Sequence, residues 1–286
     1  MQRTKLLRVW KLLIGSQMIG LQQILRPAVL RVLRATAFDT TIEHHWVRGH
    51  NLVLNTFKHK GYWYHGRRRE HASMNSIAKV LHEGDTAIEV GAHIGYISVW
   101  LAALVGRTGK VRLFEPDAAN RRYLERNVAP DANASIETSA LADYEGEADF
   151  FVEDLTGQNN SLIEAYDVLA ANCALAGLPV EVSRSRVTVT TMDQWCERTG
   201  TRPDFIKVDV EGAEEGVLRG ARQTMRTARP VMMVEITRNR QAVRRLVEGS
   251  EYVLLDEDLH PASLQEGCHN YFCVPVERAE ELQLAD

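Results

Sequence analysis

Five acidic side chains stand where short apolar runs end, and their positions suit the handling of a nucleoside-containing ligand beside a hydroxyl acceptor. Glu89 precedes Val90-Gly91-Ala92-His93-Ile94-Gly95, Glu115 lies in Phe114-Glu115-Pro116-Asp117, and Asp143 follows Ala140-Leu141-Ala142. Asp209 and Glu211 lie in Ile206-Lys207-Val208-Asp209-Val210-Glu211-Gly212. Glycine at 91 and 95 lets a ligand approach the backbone, and a loop of this kind presents N–H groups to the anionic part of a ligand. A dinucleotide fingerprint needs three glycines spaced G-x-G-x-x-G, whereas His93 falls between Gly91 and Gly95. A pyrophosphate is therefore disfavoured. Glu89 would repel a phosphate and receive the ammonium of a methionine-like ligand.

Glu115 falls twenty positions after Gly95, where a carboxylate accepts both hydroxyls of a ribose; nicotinamide enzymes place an acid similarly, so this residue alone does not separate the cofactors. Asp143 is placed to accept from an adenine amino group, or else belongs to an ordinary Asp/Gly turn. Asp209 and Glu211 can orient or deprotonate a substrate hydroxyl, or cap a helix beginning near Gly212. A fifth strand delivers Glu235 to the same edge. No His/Asp/Glu group has metal-ligand spacing, so no metal is expected, although Asp209 with Glu235 can hold one.

These residues need a scaffold that brings strand ends together. From Gly84 onward, apolar runs alternate with helical patterns, the signature of parallel strands with crossover helices in an α/β fold. Strands are predicted near Thr86–Val90, Val111–Phe114, Ser135–Leu141, Phe205–Val208 and Val231–Ile236, with Phe205 and Val208 buried differently from Lys207 and Asp209. Residues 142–190 break the rhythm: 149–152 and 180–191 alternate like strands around a helical stretch at 163–175. That predicts an insertion at about 150–190 over the active-site edge.

Ahead of this domain, residues 1–38 carry seven Lys or Arg and no acid, leaving residues 39–286 with 27 basic and 38 acidic side chains, a balance of −11. Leu7, Trp10, Ile14, Met18, Leu21, Leu25, Val29 and Val32 recur in steps of three and four, predicting a basic amphipathic helical arm over residues 1–45, broken at Pro27, and a catalytic domain over 46–286. No run is long enough to cross a bilayer. The arm suits packing on its own domain or a second subunit, and Arg3, Lys5, Arg8 and Lys11 around Trp10 suit an anionic membrane surface. Lys58 to Arg69 interleaves aromatics with cations, as a β-hairpin with a solvated basic face or as a surface for sugars and phosphates. The acidic remainder argues against general nucleic-acid binding. Scattered Cys173, Cys196, Cys268 and Cys273, with no secretory leader, point to the cytoplasm, with the inner membrane surface as a peripheral site.

In order along residues 70–276, EVGAHIGYIS, LFEPD, ALADYEG, FIKVDVEGAEEGVLRGA and RPVMMVEI resemble the FkbM family of methyltransferases. The resemblance implies a Rossmann-like class I fold with a seven-stranded sheet and flanking helices, S-adenosyl-L-methionine as methyl donor, and O-methylation of a hydroxyl on a sugar, glycan, glycolipid or glycosylated natural product. On it, Glu89, Gly91 and Gly95 hold the methionine part, Glu115 the ribose and Asp143 the adenine, while Asp209 and Glu211 face the acceptor. His93 departs from the family, which more often has Asn there; it can contact the donor or act as the general base. Two other readings stand beside this one: a nicotinamide-dependent oxidoreductase, and a non-catalytic donor-binding module recruited by the arm.

Overall fold

The computed structural model describes residues 19–164, 179–262 and 270–283. Its centre is a seven-stranded sheet. In chain order the strands are β3 (Thr86–Val90), β4 (Lys110–Phe114), β5 (Ala134–Glu137), β9 (Phe205–Val208), β10 (Val231–Glu235), β11 (Tyr252–Leu255) and β12 (Asn270–Pro275), arranged β11-β12-β10-β9-β3-β4-β5. Five of them run parallel from β10 to β5, and β12 lies antiparallel to both β10 and β11. The chain leaves β3 toward β4 on one side and returns to β9 on the other. Strand order therefore reverses between β3 and β9, the point in an open α/β sheet where the carboxyl ends form a crevice.

Helices cover both faces. α4 (Tyr96–Val105) and α5 (Ala118–Val128) follow β3 and β4; α6 (Met192–Thr199), α7 (Glu214–Arg219), α8 (Arg222–Thr227), α9 (Arg240–Glu248) and α10 (Val276–Gln283) accompany the later strands. Start signals are local: Asp117 caps α5 by accepting from the N–H groups of Ala119 and Asn120, and Thr191 caps α6 by accepting from Gln194. With helices on both sides, all four residues of β9 are buried, Lys207 included, so the predicted alternation there gives way to the pattern of a covered parallel strand.

Other elements depart from expectation. The run 135–141 is two strands, because the chain breaks at Thr138-Ser139 and β6 (Ala140–Leu141) joins a second sheet, β6-β8-β7, with β7 (Gly146–Glu153) and β8 (Val182–Thr190). β7 and β8 form the antiparallel body of the expected insertion; most of the helical stretch predicted for it lies outside the described residues. The basic aromatic stretch is not a hairpin: α2 (Lys60–His65) and a tight turn at 66–68 precede α3 (His71–Val80), because Tyr62 and Trp63 are one helical step apart and bury together against the core.

The arm also differs. α1 (Ile19–Ala35) runs through Pro27, where a break was predicted. A proline inside a helix costs about 3 kcal/mol; burial of Leu30 and Leu33 in the main core, and the Arg34 pair with Asp154, offset it. The predicted boundary at 45/46 falls inside a hairpin, β1 (Asp39–Glu43) with β2 (Asn51–Asn55), so the arm's second half shares the core of the domain. No helix among the described residues is long and apolar enough to cross a membrane. Leu33→Ala, at a fully buried position, is expected to cost about 2–5 kcal/mol in urea unfolding; a loss below about 0.5 kcal/mol would mean that α1 does not pack on the domain in solution.

Candidate active site

One cavity of about 370 Å³ opens at the carboxyl ends of β3, β4, β9 and β10, and Glu89, Gly91, His93, Glu115, Asp209, Glu211 and Glu235 all line it. The volume suits a small-molecule ligand. Seven of the nine residues that the sequence assigns to the site or to its edge line the cavity, and Gly95 and Asp143 do not.

The glycines divide in role. Gly91 has φ +85°, and a Cβ there would collide with the backbone carbonyl of Asp209, so the first loop and the end of β9 touch only because this residue is glycine. Gly95 does not line the cavity: it starts α4 at φ +87°, where a Cβ would come 2.8 Å from Leu124 of α5, and its service is helix packing, not ligand contact. Four of the loop's N–H groups bond inside the protein. Gly91 and Ala92 donate to Phe114 O at 3.0 and 3.1 Å, His93 to Glu115 Oε2 at 2.7 Å, and Gly95 to Ala92 O at 2.9 Å.

His93 is held in the left-handed region at φ +50°. Its Nε2 lies 3.3 Å from the Thr156 carbonyl, which can only accept, so Nε2 carries the proton and Nδ1 accepts from the Tyr62 hydroxyl at 3.0 Å. Burial, followed by the charge of Arg69, lowers its pKa to about 4. Both ring nitrogens of His93 are thus engaged, tying the first loop to Tyr62 and to Thr156.

A buried Lys207 organises the carboxylates. Its Nζ lies 3.4 Å from Glu89 and 3.1 Å from Asp209, and Glu89 also accepts from Ser98 Oγ at 2.6 Å. Burial pushes Glu89 above the usual carboxylate range, with Lys207 working against it. For Asp209, burial is outweighed by Lys207 and by a hydrogen bond from Glu235, and the group is held below its ordinary value. Glu235 carries the complementary shift: the Asp209 charge, then burial, pushes it up to about 11, so it is a neutral acid donating to Asp209. Burial, then Asp209 and Glu214, raises Glu211 to about 8. Asp209, Glu211 and Glu235 offer oxygens within 4.8 Å of one another, a spacing that also suits a divalent cation.

Glu115 is buried at the end of β4, accepting from the N–H groups of His93 and of Asp117 at 2.7 and 2.9 Å; burial raises it to about 8. Neither Asp209 nor Glu211 caps α7. Ala213 stands at that N-cap, Gly212 N donates to Glu214, and Glu211 sits in the left-handed region at φ +52° with its carboxyl on the cavity. Left-handed non-glycine residues cost on the order of 1 kcal/mol and cluster at functional sites. Asp143 does not join the group: it is exposed, because pairing of β6 with β8 leads the chain away from the cavity, and Ser139, Ala140 and Leu141 line the wall instead.

Several lining residues had no clear sequence signal. Glu153 at the end of β7 accepts from the N–H groups of Leu155, Thr156 and Gly157 and so folds the 155–160 loop over the cavity. Asn160 in that loop is buried, accepts from Glu153 N at 2.9 Å, and leaves its Nδ2 without a protein partner. Tyr62 and Arg69 come from the stretch first read as a hairpin. Aromatics interleaved with cations were the only hint of them.

This sheet order, with the cavity at the reversal point, is the α/β fold of class I methyltransferases. The chain belongs to the FkbM methyltransferases: the family's "Methyltransferase FkbM domain" matches residues 89–260. Among solved structures it is similar to methyltransferase FkbM from Methylobacillus flagellatus KT, 13% identical over 72% of this chain and 59% of that one, with a TM-score of 0.44. It is also similar to a SAM-dependent methyltransferase from Aquifex aeolicus, 14% identical over 73% and 92% of the two chains (TM-score 0.38), and to Aeropyrum pernix fibrillarin in complex with natively bound S-adenosyl-L-methionine, 14% identical over 72% and 73% (TM-score 0.38). No curated protein matches the chain in sequence.

Removing the central cation tests the network. Lys207→Met leaves the buried Glu89 and the half-buried Asp209 without their cation and is expected to lose about 3–5 kcal/mol of stability in urea unfolding. Adding Glu89→Gln is expected to restore part of that loss. A Lys207→Met protein as stable as the parent would contradict the buried-cation reading.

Proposed function

We propose that the protein is an S-adenosyl-L-methionine-dependent O-methyltransferase whose acceptor is a hydroxyl on a sugar, glycan, glycolipid or glycosylated natural product, working in the cytoplasm. The observation that carries this reading is the sharing of one cavity by Glu115 and the Asp209–Glu211–Glu235 cluster.

The residues fit the donor. Each Glu115 oxygen takes one backbone N–H and keeps a lone pair for a ribose hydroxyl. Leu141, Phe150, Leu155 and Leu162 give the apolar wall that a flat base needs, and the unpartnered Asn160 Nδ2 offers a donor to a ring nitrogen or a ribose oxygen. When bound, the donor supplies an electrophilic methyl group on a sulfonium. A nicotinamide cofactor is served less well, since the loop lacks the third glycine and bonds the N–H groups of Gly91, Ala92, His93 and Gly95 within the protein.

Methyl transfer from a sulfonium is downhill, so the chain's task is alignment, exclusion of water and removal of one proton. Asp209, held ionised by Lys207, accepts from a neighbouring hydroxyl of the acceptor and so orients the reacting one. Glu211, titrating near pH 8, takes the proton as the C–O bond forms; a base with a pKa near the working pH transfers protons most efficiently. Glu235, neutral, keeps Asp209 in place. Binding of the acceptor past the arm-derived Leu30, which lines the cavity, makes α1 part of the acceptor side and leaves membrane-surface attachment of the arm as a way of reaching a lipid-linked acceptor.

Transfer of a labelled methyl group from S-adenosylmethionine to a panel of glycans and glycosylated metabolites tests the reading. Turnover should rise with pH as Glu211 loses its proton, reaching half its maximum at about pH 8 and levelling off above it. Glu211→Gln is expected to lower kcat roughly 10²–10⁴-fold and to abolish this rise, with donor affinity intact. An unchanged pH profile in that variant would remove Glu211 as the base, and absence of transfer to every hydroxyl acceptor would favour the binding-module reading.

A further inference from the structure

The amino-acid end of the proposed donor carries a carboxylate, and in the first loop the N–H groups of Gly91, Ala92, His93 and Gly95 are already bonded within the protein. Three Lys or Arg side chains line the cavity: Lys60, Arg69 and Lys207. Lys207 is committed to Glu89 and Asp209. Lys60 is held at Phe57, with its ammonium 4.7 Å from the ring centroid and 3.4 Å from the backbone carbonyl.

Arg69 is different. Its guanidinium lies 4.5 Å over the Tyr62 ring, and Tyr62 in turn bonds to His93 and packs 4.9 Å from Tyr96, so the cation stands on the aromatic layer beside the first loop. Its Nε is buried with no protein partner, and its Nη2 has Glu70 at a loose 3.5 Å. Nε and Nη2 form one edge of the guanidinium, the two-pronged donor that matches a carboxylate. The stacking on Tyr62 and the close approach to Gly61, where a Cβ would come 2.9 Å from Nη1, fix the plane of the group before any ligand arrives. The side chain lines the cavity and remains 23% exposed.

We propose that Arg69 binds the carboxylate of the donor's amino-acid moiety through its Nε and Nη2 edge. The inference rests on the reading of the donor as S-adenosylmethionine, and it assigns a donor-binding role to a residue that lies before the matched family region of 89–260. It also gives the strained turn at Glu70, at φ +54°, a function: the turn ends the segment that delivers Arg69 and starts α3.

Calorimetric titration of the full chain with S-adenosylhomocysteine and with 5′-methylthioadenosine, which lacks the amino-acid moiety, tests it. Arg69→Met should weaken S-adenosylhomocysteine about 10- to 100-fold, the range for a lost charge-assisted hydrogen bond, and leave methylthioadenosine affinity unchanged. Arg69→Lys should fall between. Equal S-adenosylhomocysteine affinity in Arg69→Met and parent would overturn the proposal and point to a carboxylate on the acceptor instead. An equal loss for both ligands would also overturn it, showing that Arg69 acts by supporting Tyr62. Failure of the parent protein to bind S-adenosylhomocysteine at all would instead remove the donor reading.

Discussion

An ammonium buried in the middle of the sheet is the constraint around which this molecule is arranged. Lys207 on β9 is buried at the base of the cavity, and its charge is compensated by Glu89 on β3 and Asp209 just beyond β9. Satisfying it fixes the relative register of the strands at the reversal point. The same requirement concentrates negative charge at the carboxyl ends, and the excess is relieved by keeping Glu235 protonated. Structure and chemistry thus share one cause: the groups that neutralise a buried lysine are those that face the cavity.

Around that core the cavity is closed by chain segments far apart in sequence. Glu153 folds the 155–160 loop by taking three backbone N–H groups, His93 ties this loop to Tyr62, and Tyr62 carries Arg69. Arg34 of α1 bonds to Asp154 at the base of the same loop. The basic arm, the β7–β8 insertion and the first loop of the sheet therefore meet on one side of the site.

What could be read from sequence follows the range of the interactions involved. The bounds of β3, β9 and β10 were legible because buried parallel strands are short apolar runs between turn residues, and Glu89, Glu115 and Asp209 were legible as the acids that end such runs. Asp143 misled because a one-residue reading could not see the strand break that sends β6 into another sheet. Lys207 misled because alternation assumes one exposed face, which a strand covered by helices on both sides does not have. Pro27 misled because its local cost is outweighed by burial of Leu30 and Leu33, a tertiary effect. Glu153 gave no signal, and Asn160 only a loose family likeness at Asn160-Ser161-Leu162: their roles exist only once β7 and β8 have paired.

The most direct measurement is isothermal titration of the full chain with S-adenosylhomocysteine, with NAD titrated in parallel. Saturable one-site binding of S-adenosylhomocysteine and none of NAD is the result expected if Glu115 and the 155–160 loop hold a nucleoside joined to an amino acid. Binding of NAD alone would contradict the account.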